Sequence, residues 1–109
     1  MDFGEREFEW ITELVRSHRE SIQQLESLPA ADRGNLSAQL ARRQLVLGSD
    51  GFVKLTESMS AYQQEISRYR NQAEHLSPEA LKKLEQSMVE RLAAIREKIA
   101  SIKYLLTSA

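Results

Sequence analysis

The feature that most restricts the fold of this sequence is an apolar stripe that runs unbroken from Phe52 to Leu76. Its members recur at alternating spacings of three and four residues. They are Phe52, Leu55, Met59, Tyr62, Ile66, Tyr69, Ala73 and Leu76. Such spacings place side chains on one face of an α-helix, because the helix has 3.6 residues per turn. The stripe therefore predicts a helix over about residues 50–76 with one face that must be covered.

A second long stripe predicts a helix over about residues 78–106. Ser77, Pro78 and Glu79 provide a start signal, with a capping serine, a proline at the first helical position and an acid in the first turn. The stripe consists of Leu81, Leu84, Met88, Leu92, Ile95, Ile99, Ile102 and Leu106. Because the connection is short, we expect the two helices to form an antiparallel hairpin, within one chain or exchanged between two chains.

The N-terminal region predicts a third amphipathic helix over about residues 5–28. Its apolar face carries Phe8, Ile11, Val15, His18, Ile22 and Leu25. Pro29 ends the helix, because a residue before proline is disfavoured in the α region. Trp10 and Leu14 lie beside this stripe, as a second contact face would require. We expect this helix to pack along the hairpin.

The segment over residues 36–55 has two interpretations. Asn35 or Ser37 could cap a short helix that ends near Leu47, which predicts a helix–turn–helix. The string LVLGSDGFVKL instead has the pattern of a β-hairpin, with two apolar runs around a Gly/Asp turn. The first interpretation is favoured, because Phe52 and Leu55 already belong to the long helical stripe.

Taken together, these elements predict an all-α protein in which residues 1–109 form a single helical domain, a three- or four-helix bundle. The chain is 41% hydrophobic and 28% charged, with a net charge of −1 and no cysteine. This composition argues against nucleic acid as a partner, which requires a basic face, and against disulfide or thiolate chemistry. No apolar run approaches the roughly 20 residues needed to cross a bilayer. We expect a cytoplasmic protein without membrane insertion.

The sequence offers little for catalysis or metal binding. A di-iron bundle requires Glu-x-x-His motifs, but Val15 and Gln72 stand three residues before His18 and His75. We therefore predict no metal, no cofactor and no enzymatic activity. The alternative is a small-molecule-binding or enzymatic bundle with a site near His18, joined by Arg16 or Arg19.

The function expected from these patterns is protein–protein interaction. Long apolar faces without competing chemistry favour an adaptor, a small chaperone or an assembly subunit that binds a partner helix or itself, as a homo-oligomer in coiled-coil fashion. Tyrosine, methionine and tryptophan are adaptable contact residues. The side chains predicted to contact a partner are Trp10, Leu14, Phe52, Met59, Tyr62 and Tyr69.

Overall fold

The computed structural model describes residues 2–107, which fold into four α-helices and no strand. The helices are α1 (Glu5–Ser27), α2 (Gly34–Leu47), α3 (Asp50–Gln72) and α4 (Pro78–Thr107). Short 3-10 turns, Ala30–Asp32 and Ala73–His75, precede α2 and follow α3. The predicted helical bundle is confirmed, with an antiparallel α3–α4 hairpin and an N-terminal helix packed on it.

The connection between α2 and α3 is a tight helix–turn–helix. The amide of Gly48 donates to the carbonyl of Gln44 at 2.9 Å, and the amide of Ser49 donates to that of Val46 at 3.1 Å. The Ser49 hydroxyl oxygen then accepts from the amide of Phe52 at 3.3 Å. One serine thus closes the turn and caps α3, which confirms the favoured interpretation over the β-hairpin.

The connection between α3 and α4 reverses the chain over a few residues. α3 ends at Gln72, four residues before the predicted Leu76, and a 3-10 turn follows. The Ser77 hydroxyl oxygen accepts from the amide of Ala80 at 3.1 Å, and Pro78 is the first helical residue. Because a residue before proline is disfavoured in the α region, α3 must stop before this point.

The start of α2 differs from the prediction. Neither Asn35 nor Ser37 caps the helix, which begins at Gly34 without a side-chain cap. The guanidinium of Arg33 instead donates to the carbonyl of Leu28 at 2.8 Å and to a second α1 carbonyl at 3.3 Å. It thereby satisfies carbonyls that the end of a helix leaves without partners, so the α1–α2 loop is fixed from the α1 side.

The core lies along the seam between α3 and α4. The largest fully buried side chains are Tyr62, Leu55, Met88 and Ile95. Six further residues are buried along the same seam: Phe52, Met59, Leu84, Leu92, Ile99 and Ile102. Full burial of such a side chain contributes about 1.5–3 kcal/mol before conformational entropy is subtracted. The seam is therefore the main stabilising element of the chain.

A polar contact on the flank of this seam fixes how the two helices are aligned. Glu65 of α3 forms an ion pair with Arg91 of α4, and the Ser87 hydroxyl donates to the same carboxylate at 2.6 Å. Further along, the ammonium of Lys98 donates to the Ser58 hydroxyl at 3.5 Å. The contacts advance in opposite directions along the two helices, as the antiparallel hairpin requires.

The first half of α1 packs on the hairpin and runs parallel to α4. Glu7 accepts from Arg96 at 2.6 Å, and the Lys103 ammonium lies 5.3 Å from the centroid of the Trp10 ring. Phe8 stacks on Tyr62 of α3, with 6.2 Å between the ring centroids. Here the bundle is three helices thick.

The second half of α1 packs on α2, and these two helices run antiparallel. The His18 Nε2 atom lies 3.2 Å from Gln44 Oε1, and the Arg43 guanidinium donates to the Ser21 hydroxyl at 3.4 Å. Leu106, near the end of α4, lines a cleft with Arg43. Beyond this level, α1 and α2 continue as a pair, which we name the α1–α2 tip (residues 18–28 and 34–44).

The offset of α1 makes the molecule a rod. Its principal extents are 64 × 24 × 19 Å. The radius of gyration is 18.1 Å, compared with about 13 Å for a compact domain of this length. One end of the rod is the α1–α2 tip, and the other is the α3–α4 tip (residues 63–91). The α1–α2 tip is two helices thick, and at the α3–α4 tip only the N-terminal residues 3–8 reach the first part of the helix pair.

A group of polar contacts ahead of α1 holds its start on the hairpin. The Tyr62 hydroxyl donates to the carbonyl of Asp2 at 2.9 Å, and Arg96 binds the carboxylates of Asp2 and Glu7. Gly4 has a φ of 70°, in the left-handed region, and its amide donates to the Asp2 side chain at 2.8 Å. We name this group the N-terminal clamp.

Replacing Gly4 with alanine should destabilise the fold by about 1–2 kcal/mol, since a left-handed conformation costs that much for a residue with a Cβ. The new Cβ would also lie 2.9 Å from Leu92 and 3.4 Å from Tyr62. Gly34→Ala is the matched control, because that glycine is helical with open space around it, and it should stabilise by about 0.5 kcal/mol. Urea unfolding measures both; equal effects would contradict the clamp geometry.

Alkaline pH should weaken the fold through Tyr62. Burial raises the pKa of Tyr62 above its ordinary value, and the Asp2 carboxylate adds to the effect. The stabilisation is fully present below the unfolded-state pKa of about 10 and is lost as pH rises through the folded-state pKa. Unfolding free energy measured at increasing pH should therefore fall less steeply for Tyr62→Phe than for the parent. Identical slopes for Tyr62→Phe and the parent would contradict this role.

Candidate protein-interaction surface

Three of the six side chains predicted to contact a partner are in the interior. Phe52, Met59 and Tyr62 are buried in the α3–α4 seam, and Tyr62 is 1% exposed. The face of α3 that carries them is covered because α4 supplies a stripe of matching length and register. These three residues therefore support the fold of their own chain and offer no free surface in it.

The other three predicted residues are half-buried at the edges of the core. Trp10 lies against α4 in a cleft of about 320 Å³ whose other lining residues include Ile99 and Lys103. Tyr69 lies beside Phe3, with 6.0 Å between ring centroids. Leu14 packs at the margin of the core cluster. Trp10 lies against α4, whereas Tyr69 lies on α3 beside Phe3, so the six residues do not form one continuous surface.

The exposed apolar surface is made mainly by residues that the sequence did not single out. The large apolar side chains that are exposed are Val15, Ile22, Leu45, Val53, Val89, Tyr104 and Leu105. Leu45, at 78% exposure, and several others lie off the helical stripes. The sequence signal that could have identified these residues is their position: each is apolar but lies outside the helical stripes. Val15 and Ile22 are different, because they belong to the α1 stripe and were expected to be covered.

The exposure of Val15 and Ile22 follows from where α3 begins. On α1, Phe8 is covered by the ring of Tyr62, but α3 starts only at Asp50. The next stripe residues on the same side of α1 are Val15, which lies short of that start, and Ile22, which lies beyond it; they are 38% and 39% exposed. An apolar helical face thus continues past the end of the helix that covers its first part.

A second open feature is a shallow cleft of about 520 Å³ on the hairpin that includes no residue of α1. Glu65 lines this cleft and is already bound by Arg91 and Ser87. Arg68 and Lys83 line the same cleft and make it basic. Because its only carboxylate is compensated, the cleft offers cations and small apolar groups but no pair of groups arranged for acid–base catalysis.

His18 is buried between α1 and α2, and it is the residue on which the alternative function depended. It is 8% exposed, its Nε2 atom meets Gln44, and no described residue bonds its Nδ1 atom. Arg16, an expected neighbour in such a site, instead pairs on the surface with Glu13 and Glu20. The surroundings of His18 are those of a packed helix interface.

Two substitutions distinguish a packing role of His18 from a ligand-binding role. His18→Leu removes a buried polar atom without a described partner and should raise the unfolding free energy by about 1 kcal/mol. Gln44→Ala leaves both ring nitrogens without a described partner and should lower it by a similar amount. Chemical unfolding of the two variants provides the measurement. A loss of stability in His18→Leu comparable to that in Gln44→Ala would contradict the packing role.

Within residues 2–107, no three histidine, aspartate or glutamate side chains are grouped as metal ligands. None of the helices described is long and apolar enough to span a membrane. In comparisons with known proteins, no family model matches this chain, and neither a curated protein nor a solved structure matches it at a significant level. Its function is therefore inferred from its own surfaces.

Proposed function

We propose that this chain is a non-enzymatic helical protein-interaction module, such as an adaptor, a small chaperone or an assembly subunit. It binds by adding helices where its own bundle is only two helices thick. The observation that carries the proposal is the exposed continuation of the α1 stripe past Phe8, at Val15 and, beyond the start of α3, at Ile22. As part of the same proposal we place its action in the cytoplasm, since a cysteine-free chain is compatible with a reducing compartment.

The surface area of the chain supports this proposal. Its accessible surface is 7693 Å², compared with about 6,200 Å² for a compact monomer of its mass. The excess is about 1,500 Å², which exceeds the roughly 800 Å² that each partner contributes to a standard interface. A rod with two thin ends therefore has enough surplus surface for a stable interface without unfolding.

The mode of binding follows from the helical geometry. A helix whose apolar face is open accepts another amphipathic helix, with anchors at spacings of three, four and seven residues. Val15 and Ile22 provide two such anchors seven residues apart on α1. Covering apolar area contributes about 25 cal/mol per Å², so two side chains that are already partly covered give a modest interaction. The remaining contacts must come from neighbouring residues of the tip.

Size-exclusion chromatography with light scattering, combined with binding of an apolar fluorescent dye, tests the proposal. We expect either a mass above 12.5 kDa or a monomer that binds the dye, because the exposed apolar side chains must meet a partner or the dye. Ile22→Lys should reduce dye binding by a monomer. A monomer that binds no dye would contradict the proposed function.

A further inference from the structure

We propose that the open side of the α1–α2 tip is a self-association surface on which a second copy of this chain docks. The two tips form a four-helix bundle in which α1 of one copy runs antiparallel to α1 of the other, about a two-fold axis near Ile22. This inference rests on the proposed function and names its partner.

The hydrogen bonds between α1 and α2 identify which side of the tip is open. The Arg43–Ser21 contact marks one side of the seam, and Leu106 of α4 lies on that side, in a cleft lined also by Arg43. The His18–Gln44 contact marks the other side. Val15 and Ile22 follow His18 around α1 toward this second side, which α4 does not reach. The open surface therefore begins beside Gln44.

Small residues of α2 border the same surface. Ala41 and Ser37 precede Gln44 by three and seven residues, so helical periodicity places them on the Gln44 side of the seam. Both are exposed. Small side chains allow the axis of another helix to approach closely. The open side of the tip thus combines the apolar anchor Ile22 on α1, with Val15 one step closer to the hairpin, and small side chains on α2.

Charged residues beside Ile22 favour a second copy of this chain as the partner that covers the open side of the tip. Arg19 and Glu26 stand three residues before and four residues after Ile22, on the α1 flank that faces away from α2. Both residues are exposed, and neither side chain has an ion-pair partner within residues 2–107. Antiparallel pairing about Ile22 brings Arg19 of each copy beside Glu26 of the other, so that two ion pairs form by symmetry.

A parallel arrangement would place Arg19 opposite Arg19 and Glu26 opposite Glu26, which is unfavourable. The charges therefore specify the antiparallel orientation, and the two-fold axis makes the contact self-complementary and closed. The association thus ends at a dimer.

Charge reversal tests the orientation. Arg19→Glu and Glu26→Arg should each weaken the dimer roughly five- to thirty-fold, because each breaks two ion pairs and creates two like-charge contacts. The double variant Arg19→Glu, Glu26→Arg should restore the parent dissociation constant, since the pairs reform with exchanged signs. Glu57→Arg, an exposed reversal on α3, is the matched control and should have no effect. Analytical ultracentrifugation measures the dissociation constants of the dimers. Single variants that leave the constant unchanged, or a double variant that does not restore it, would overturn the antiparallel pairing.

Apolar substitution tests the location. Ile22→Asp should weaken the dimer at least a hundred-fold, because the two-fold axis brings two carboxylates into the centre of the interface. Val89→Asp is the matched control: it also replaces an exposed apolar residue, but on the α3–α4 tip. Circular dichroism confirms that both variants fold. Dissociation by Val89→Asp and not by Ile22→Asp would overturn the proposed surface while leaving a protein-interaction function in place.

Small-angle X-ray scattering tests the overall arrangement. Two rods of 64 Å that overlap by a tip of about 16 Å should give a maximum dimension of about 110 Å. A side-by-side dimer of nearly the monomer length would overturn the tip-to-tip arrangement. A chain that stays monomeric at about 500 µM would overturn self-association altogether. If that monomer binds an apolar dye, the proposed protein-interaction function still stands. If it binds no dye, the proposed function and the self-association are both contradicted.

Discussion

The α3 and α4 stripes form most of the buried core by packing against each other, and the rest of the architecture depends on that pairing. The chain reverses at Ser77 and Pro78, and Glu65 and Arg91 fix the alignment of the two helices. Once the seam is closed, α1 can pack only along its edge, where the N-terminal clamp sets its position. This position carries the second half of α1 beyond the hairpin, to pair with α2 alone. The two thin ends of the rod follow from this offset of α1.

Local signals in the sequence were sufficient to predict the helices and most of their ends. Spacings of three and four gave the helical faces, and Ser77 with Pro78 marked the start of α4. Ser49, directly ahead of the α3 stripe, caps that helix. These features could be predicted because periodicity and capping involve residues within a few positions of one another. The caps predicted for α2 were wrong. The residue ahead of this helix, Arg33, bonds a carbonyl of α1, and a contact between two elements leaves no local pattern in the sequence.

The placement of helices relative to one another could not be predicted, and it decides which apolar faces stay exposed. A stripe shows that a face is apolar, but it does not show which helix covers that face or how far the cover extends. Phe52, Met59 and Tyr62 and the α1 residue Ile22 all belong to such stripes, yet the first three are buried and Ile22 is not. The difference is the starting point of α3. The clamp that positions α1 joins residues that are distant in sequence, such as Asp2 and Arg96, and no local pattern reports them.

The same clamp has a consequence for the chain as it is synthesised. Arg96, which holds the start of α1, follows the end of that helix by about 70 residues, or roughly 4–14 s at about 5–20 residues per second. During that interval the nascent α1 can pair with α2, which is translated directly after it, while Phe8 and Trp10 still lack their hairpin. The tip is therefore the first tertiary contact available to the emerging polypeptide, and the clamp is among the last to close. The exposed face of this tip is thus also where the packing of the chain can begin.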